Sequence, residues 1–224
     1  NIFVEAGLPP GVLNFVCGGG STIGDELITH PLVESVSFTG STGVGKGIQQ
    51  SVAKTLIRTQ LEMGGKNPAV ILEDADLDKA ADAVATAAYA CAGQWCTSTS
   101  RAIVIKEVAE VFTEKVLERV RAIRVGDGKG DVDMGPVCGA DQLETIMGYI
   151  EIGQGEGARL VQGGQRLTDD GMDQGCFVEP TVFADVVPGM RIAQEEIFGP
   201  VLSVMVARDF GEALEMANRV EFGL

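Results

Sequence analysis

Cys96 has the side chain best suited to nucleophilic chemistry in this sequence, within the run Gly93-Gln94-Trp95-Cys96-Thr97-Ser98-Thr99-Ser100-Arg101. A thiol attacks as its thiolate, so it needs a lowered pKa or a base nearby. A carboxylate can serve as that base, directly or through one water. Glu62, in Leu61-Glu62-Met63-Gly64-Gly65-Lys66, is the candidate partner, because the single histidine, His30, precedes Pro31 and has no sequence relation to Cys96. The alternative reading makes Cys96 a small buried hydrophobe. The flanking Gly-Gln and Thr-Ser-Thr-Ser residues favour a close turn with local hydrogen bonds over core packing.

A second constellation is Phe38-Thr39-Gly40-Ser41-Thr42-Gly43-Val44-Gly45-Lys46, which follows an apolar run and opens a helical pattern. Its glycines let backbone N–H groups approach a phosphate, and a helix N-terminus favours negative charge. The spacing Gly40 to Gly45-Lys46 resembles a nucleotide-triphosphate loop, but Gly47 stands where that loop needs a magnesium-binding hydroxyl. A third cluster, Gln194-Glu195-Glu196-Ile197-Phe198-Gly199-Pro200-Val201, suits a loop that sets a carboxylate and a ring against a ligand. The plain alternative is a solvated pair of acids.

Strand and helix patterns alternate through the elements that must hold these residues. Val12–Val16, Val33–Phe38 and Thr55–Leu61 read as strands, with helices over roughly residues 22–29 and Val44–Lys54 between them. That βαβαβ order implies a parallel sheet with right-handed crossovers. After Gly64-Gly65 a second set begins: a strand at Ala69–Leu72, a helix from Asp78 to Ala92 with Asp74 or Asp76 as N-cap, and a strand at Ala102–Lys106. It continues with a helix over Val108–Arg124, another over residues 141–153 and a strand at Arg159–Val161. A polar connector at Thr168–Gln174, strands at Phe177–Phe183 and Val201–Val206, and a helix at Gly211–Arg219 complete it. The domain boundary falls at Gly64-Gly65, giving 1–63 and 64–224.

Composition excludes several classes. With 45% hydrophobic and 22% charged residues, the 224-residue chain is an ordinary globular sequence. A net charge of −15 disfavours nucleic acid and anionic membrane as partners. Five dispersed cysteines without a CxxC pair imply free thiols in a reducing compartment, and one histidine leaves no metal site to expect. No apolar run approaches the length of about 20 residues that spans a membrane, and no signal-peptide pattern opens the stretch. The stretch opens in the last turns of a helix that Gly7 stops, and it ends straight after a helical pattern. It reads as an excerpt of something longer.

Four motifs in order resemble the NAD(P)-dependent aldehyde dehydrogenase superfamily: Phe-Thr-Gly-Ser-Thr (38–42), Leu-Glu-Met-Gly-Gly-Lys (61–66), Gly-Gln-Trp-Cys (93–96) and Glu-Glu-Ile-Phe-Gly-Pro-Val (195–201). The resemblance covers essentially the whole chain. It implies an α/β fold, with the end of a Rossmann-like cofactor domain at 1–63. A catalytic domain with a mostly parallel sheet, truncated at its C-terminus, is implied at 64–224. It implies Cys96 as the nucleophile that forms a thiohemiacetal and then a thioester, and Glu62 as the base that activates water for hydrolysis. The Cys96 N–H would supply half of an oxyanion hole. Gly18, Gly40, Ser41, Met63, Glu196 and Phe198 would contact NAD or NADP, while Gln94 and Trp95 would surround the substrate mouth.

The family's first two cofactor-domain strands, an oxyanion-hole asparagine and a ribose-binding lysine lie upstream of the matched stretch. The run Thr97–Arg101 resembles the branch acting on sugar-acid semialdehydes, such as the α-ketoglutaric semialdehyde dehydrogenases, while the bulky apolar wall of Trp95 equally suits an aromatic or aliphatic aldehyde. The implied setting is a cytoplasmic homodimer or homotetramer taking a small aldehyde, with no nucleic-acid, membrane or metal partner. Two other readings compete: a catalytically incomplete stretch acting as a folding or interaction module, and a nucleotide-triphosphate-binding protein.

Overall fold

The computed structural model describes residues 2–224, which divide between Met63 and Gly64 into two compact units. The first unit holds α1 (Ile2–Glu5), α2 (Gly20–Thr29), β1 (Ser35–Thr39), α3 (Thr42–Val52) and β2 (Arg58–Glu62). β1 and β2 pair in parallel from Ser35 opposite Arg58 to Thr39 opposite Glu62. Ser41 starts α3 by accepting the Val44 N–H at 3.4 Å, satisfying one of the helix's orphan donors. Gly45 lies on the buried face of α3, where a Cβ would come within 2.5 Å of the Met63 sulfur, so α3 sits close against the segment that follows β2.

The expected strand at Val12–Val16 is absent. These residues form an irregular, exposed segment, with Phe15 89% exposed. An apolar run becomes a strand only when a neighbour takes its backbone groups, and β1 pairs with β2 alone among the described residues. The βαβαβ reading of this unit reduces to one parallel pair with its crossover helix.

The second unit is built on a five-stranded sheet of order β3-β4-β7-β6-β5. In chain order its elements are β3 (Asn67–Ile71), α4 (Leu77–Tyr89), β4 (Thr99–Ile105), α5 (Ala109–Arg121), α6 (Ala140–Gly155), β5 (Arg159–Gln162), β6 (Thr181–Ala184), α7 (Arg191–Gln194), β7 (Val201–Ala207) and α8 (Phe210–Asn218). Neighbouring strands run parallel from β3 to β6, and only β5 is antiparallel. β4 and β7 are buried along nearly their whole length, as befits central strands covered on two faces. Ile103, Val104, Leu202, Val204 and Met205 form the middle of the core, against Ala81, Ala85 and Ala88 of α4 and Phe112 and Val116 of α5.

Capping and surface charge explain where the helices start and stay. Asp76, not Asp74, caps α4 by accepting the Lys79 N–H at 3.2 Å. Asp209 caps α8 through the Glu212 N–H at 2.9 Å. Asp78 and Asp82 of α4 meet Lys115 and Arg119 of α5 at 2.7–2.9 Å. These ion pairs are solvent-exposed on the acid side and contribute little beyond orientation.

Several elements differ from the sequence pattern, β2 starting at Arg58 and α5 ending at Arg121 among them. The α4 pattern runs to Ala92, yet the helix stops at Tyr89, because Cys91 and Ala92 take left-handed backbone angles (φ 51 and 54). β6 begins at Thr181, since residues 177–179 pair instead with 165–167 through the Leu167 and Glu179 N–H groups. The polar connector carries a 3₁₀ turn, and the short α7 has too few residues to leave a periodic signal.

Candidate active site

In the first unit, four of the expected site residues gather at the carboxyl ends of β1 and β2. Gly40 follows β1 and donates its N–H to the Glu62 carbonyl at 3.0 Å. Ser41 opens α3 and Met63 follows β2. The first turn of α3 is open, since a Cβ on Gly43 would meet nothing within 4 Å. Carboxyl ends of parallel strands beside a helix N-terminus are where α/β proteins take anionic ligands. The Glu62 side chain is exposed, with Gln60 as its hydrogen-bonding neighbour at 3.5 Å. Gly18 stands apart in the loop before α2, packed on Ile23 so closely that a Cβ would meet its methyl at 2.9 Å. Lys46 is exposed on α3, and Gly45 packs against Met63. The triphosphate-loop pattern thus has a packing cause.

In the second unit, the chain leaves α4 through three successive left-handed residues, Cys91, Ala92 and Gly93. Only glycine fits the third of these positions, because a Cβ there would collide with the Gly199 carbonyl. The turn that follows is closed by the Ser98 N–H on the Trp95 carbonyl at 3.0 Å, and it carries Cys96 just ahead of β4. Asn67, the first residue of β3, spans this turn. Its Nδ2 donates to the carbonyls of Cys96 (2.6 Å) and Ser98 (3.1 Å). Gly65 completes the support, as a Cβ on it would meet the Cys96 carbonyl at 2.5 Å. Strand register shifts here: Asn67 lies opposite Thr99 and Pro68 opposite Arg101, so Ser100 is an extra residue that kinks β4.

Cys96 is partly exposed, as a reacting thiol must be. Trp95 is 54% exposed beside it. Gln94 is less free than the sequence suggests. Its Oε1 accepts the Cys138 N–H at 2.8 Å and its Nε2 donates to the Cys91 carbonyl at 3.3 Å, so it ties the strained turn to the approach of α6. Of the Thr97–Ser100 run, Thr97 is exposed whereas the Ser98 and Ser100 hydroxyls are buried without partners among the described residues.

The two adjacent glutamates have opposite fates. Glu195 is held by Arg191 at 2.9 Å through two contacts and by the Tyr149 hydroxyl at 2.7 Å, and the guanidinium keeps its carboxyl below the usual range. Glu196 instead turns to the glycine pair, where its Oε1 accepts the Gly65 N–H at 3.1 Å. A Cβ on Gly64 would overlap its other oxygen. Gly65 therefore touches both the carbonyl of Cys96 and the carboxylate of Glu196. Phe198, with a left-handed φ of 54, lines the same small cavity as Trp95, Ser98 and Glu196.

Sequence reasoning passed over three residues that build this site. Asn67 reads as an ordinary strand opening. Arg101 is completely buried and donates to the carbonyls of Lys66 (2.7 and 3.0 Å), Met216 (2.9 Å) and Ala217 (3.0 Å), so it caps the C-terminus of α8. Lys66 closes the second motif, yet its amine is buried and has no partner among the described residues. The signal that pointed to them was position alone, at the ends of motifs already singled out.

The fold and this loop define an α/β protein with a thiol presented on a built turn ahead of a central strand. The chain belongs to the aldehyde dehydrogenase family, whose model matches residues 1–224. Alpha-ketoglutaric semialdehyde dehydrogenase of Bacillus subtilis (strain 168) is 48% identical over 223 residues, covering 99% of this chain and 46% of the relative. Alpha-ketoglutarate semialdehyde dehydrogenase of Haloferax volcanii is 46% identical over 220 residues, 98% of this chain and 45% of the relative. The structure of 1-pyrroline-5-carboxylate dehydrogenase from Thermus with bound NAD superposes with a TM-score of 0.94 at 44% identity, covering 100% of this chain and 43% of that one. The chain spans about half the length of the curated relatives it matches. Among the described residues no helix is long and apolar enough to cross a membrane, and no cluster of metal-ligating side chains occurs.

Proposed function

We propose that this chain carries the nucleophile, the general base and part of the cofactor contacts of an NAD(P)-dependent aldehyde dehydrogenase. Cys96 adds through its thiolate to the aldehyde carbonyl, forming a thiohemiacetal, and the Cys96 N–H stabilises the oxygen that gains charge. A nicotinamide dinucleotide bound to this chain would supply the hydride acceptor for oxidation of the thiohemiacetal to a thioester. Glu62 takes a proton from water, and the hydroxide attacks the thioester carbon and breaks the carbon–sulfur bond, releasing the carboxylate and the Cys96 thiol. Gly18, Gly40, Ser41 and Met63 are assigned to the cofactor, as are Glu196 and Phe198. Trp95 forms the substrate mouth, and Gln94 acts there through the loop it holds.

The observation that carries this reading is the built seat of Cys96: Asn67 on its carbonyl, Gly65 against it, and the partly exposed thiol beside Trp95. A semialdehyde bearing a carboxylate is the favoured substrate class, since the two curated relatives are named for one. The protein that contains this chain would act as a cytoplasmic homodimer or homotetramer. Iodoacetamide labelling of that protein tests the thiol. Cys96 should react ahead of Cys17, Cys91, Cys138 and Cys176, aldehyde should protect it, and Cys96→Ser should lose turnover. Full turnover by Cys96→Ser would end the reading.

A further inference from the structure

Lys66 sits 1% exposed in the second unit, and its Nζ has no hydrogen-bond partner among the described residues. Its neighbours are specific. Arg101 on β4 holds the Lys66 carbonyl and repels the amine, while Glu195 and Glu196, between α7 and β7, attract it. The buried hydroxyls at the same end of β4 are Ser98 and Ser100. Glu195 already pairs with Arg191 and accepts the Tyr149 hydroxyl. Among the described residues Glu196 has one donor, the neutral N–H of Gly65, the residue next to Lys66. The carboxylate on which the Lys66 charge acts most is therefore Glu196.

We propose that Lys66 is a positioning residue for Glu196, its buried amine holding the carboxylate on the Gly65 N–H so that Glu196 can receive a ribose hydroxyl of the dinucleotide. A buried amine without a direct partner is costly, and a neutral methylene chain would pack there at less cost. Its long-range attraction to Glu196 gives the charge a use. Burial first, then Arg101, brings the Lys66 pKa down to about 7, against the pull of the two glutamates. The holding charge is therefore present below pH 7 and fades as the pH rises above it.

The inference rests on the assignment of Glu196 to the cofactor, and a double-mutant cycle separates the two. NAD⁺ dissociation constants are measured by calorimetry from pH 6 to 9 on the full-length protein, for wild type, Lys66→Met, Glu196→Gln and the double variant. Wild-type affinity should fall about 5- to 10-fold as the pH rises through 7. Lys66→Met should bind like wild type at high pH, with no inflection near 7, and should add nothing in the Glu196→Gln background. If Lys66→Met fails to fold, Lys66→Gln and the wild-type pH profile still decide. A flat wild-type profile, or an equal loss from Lys66→Met with and without Glu196, overturns the role of Lys66 while Glu196→Gln still weakens binding. No effect of Glu196→Gln itself removes the cofactor assignment and this inference together.

Discussion

Replacing Lys66 with Met deletes a charge that the fold buries, and the size of the effect follows from the site. The amine is 1% exposed, and burial followed by Arg101 lowers its pKa from 10.5 to about 7. At about 1.36 kcal/mol per unit, that shift amounts to a destabilisation of about 5 kcal/mol when the amine is charged. Because the folded value lies below the unfolded one, the unfolded chain binds the extra proton between about pH 7 and 10.5. The Lys66 contribution to stability therefore rises with pH across that window. The penalty is full at pH 6, falls to about 2 kcal/mol by pH 9 and vanishes above the unfolded value.

Met has nearly the same length, so Lys66→Met should melt higher than wild type by roughly 5–10 °C at pH 6. The gap should close as the pH approaches 10. Thermal melts of the two full-length proteins at pH 6, 7.5 and 9 measure it. A Lys66→Met protein that melts lower at every pH, or a gap independent of pH, would show that the amine is not a charge held against desolvation.

Three further perturbations probe the frame around the thiol. Gly93→Ala must place a methyl against the Gly199 carbonyl in a left-handed backbone, at a cost of about 2–5 kcal/mol from conformation and overpacking together. It should also change the rate at which iodoacetamide labels Cys96, and an unaltered melt and labelling rate would refute the close-packed turn. Arg101→Met strips the carbonyls of Lys66, Met216 and Ala217 of their buried donor and should cost roughly 3–5 kcal/mol, read as a lower melting temperature. The same variant should raise the pKa of Lys66, whose charged form Arg101 opposes, so competitive labelling of Lys66 is a second check. Glu62→Gln should slow thioester hydrolysis by about 10²-fold and give a burst of NADH before a slow steady state. A full steady-state rate without a burst would remove Glu62 as base.

Much of the fold was legible because its signals are local. Val201–Ala207 and Thr99–Ile105 are continuous apolar runs of strand length, and the alanine-rich helix after Asp76 carries its own N-cap. The failures were positions where neighbours decide. Val12–Val16 has strand-forming residues but no pairing partner among the described residues, whereas the helix expected at Gly211–Arg219 forms, over Phe210–Asn218, because Asp209 caps it without outside help. The glycine spacing at Gly40 to Lys46 imitated a phosphate loop because a spacing cannot reveal whether a glycine faces a ligand or, as Gly45 does, a methionine.

By itself the sequence determined the chemistry-bearing types and their order: a cysteine between a tight turn and a hydroxyl run, a carboxylate closing a strand, and glycines where backbones crowd. Those are properties of single residues and near neighbours, and side-chain chemistry does not depend on the fold. Tertiary structure alone decided which of two adjacent glutamates is a surface ion pair and which meets the Gly65 N–H. It also decided that Gln94 clamps a loop and that Lys66 is buried. Such outcomes depend on contacts between residues far apart in sequence, such as Glu196 with Gly65 or Gln94 with Cys138, and on the exclusion of water that makes each contact count.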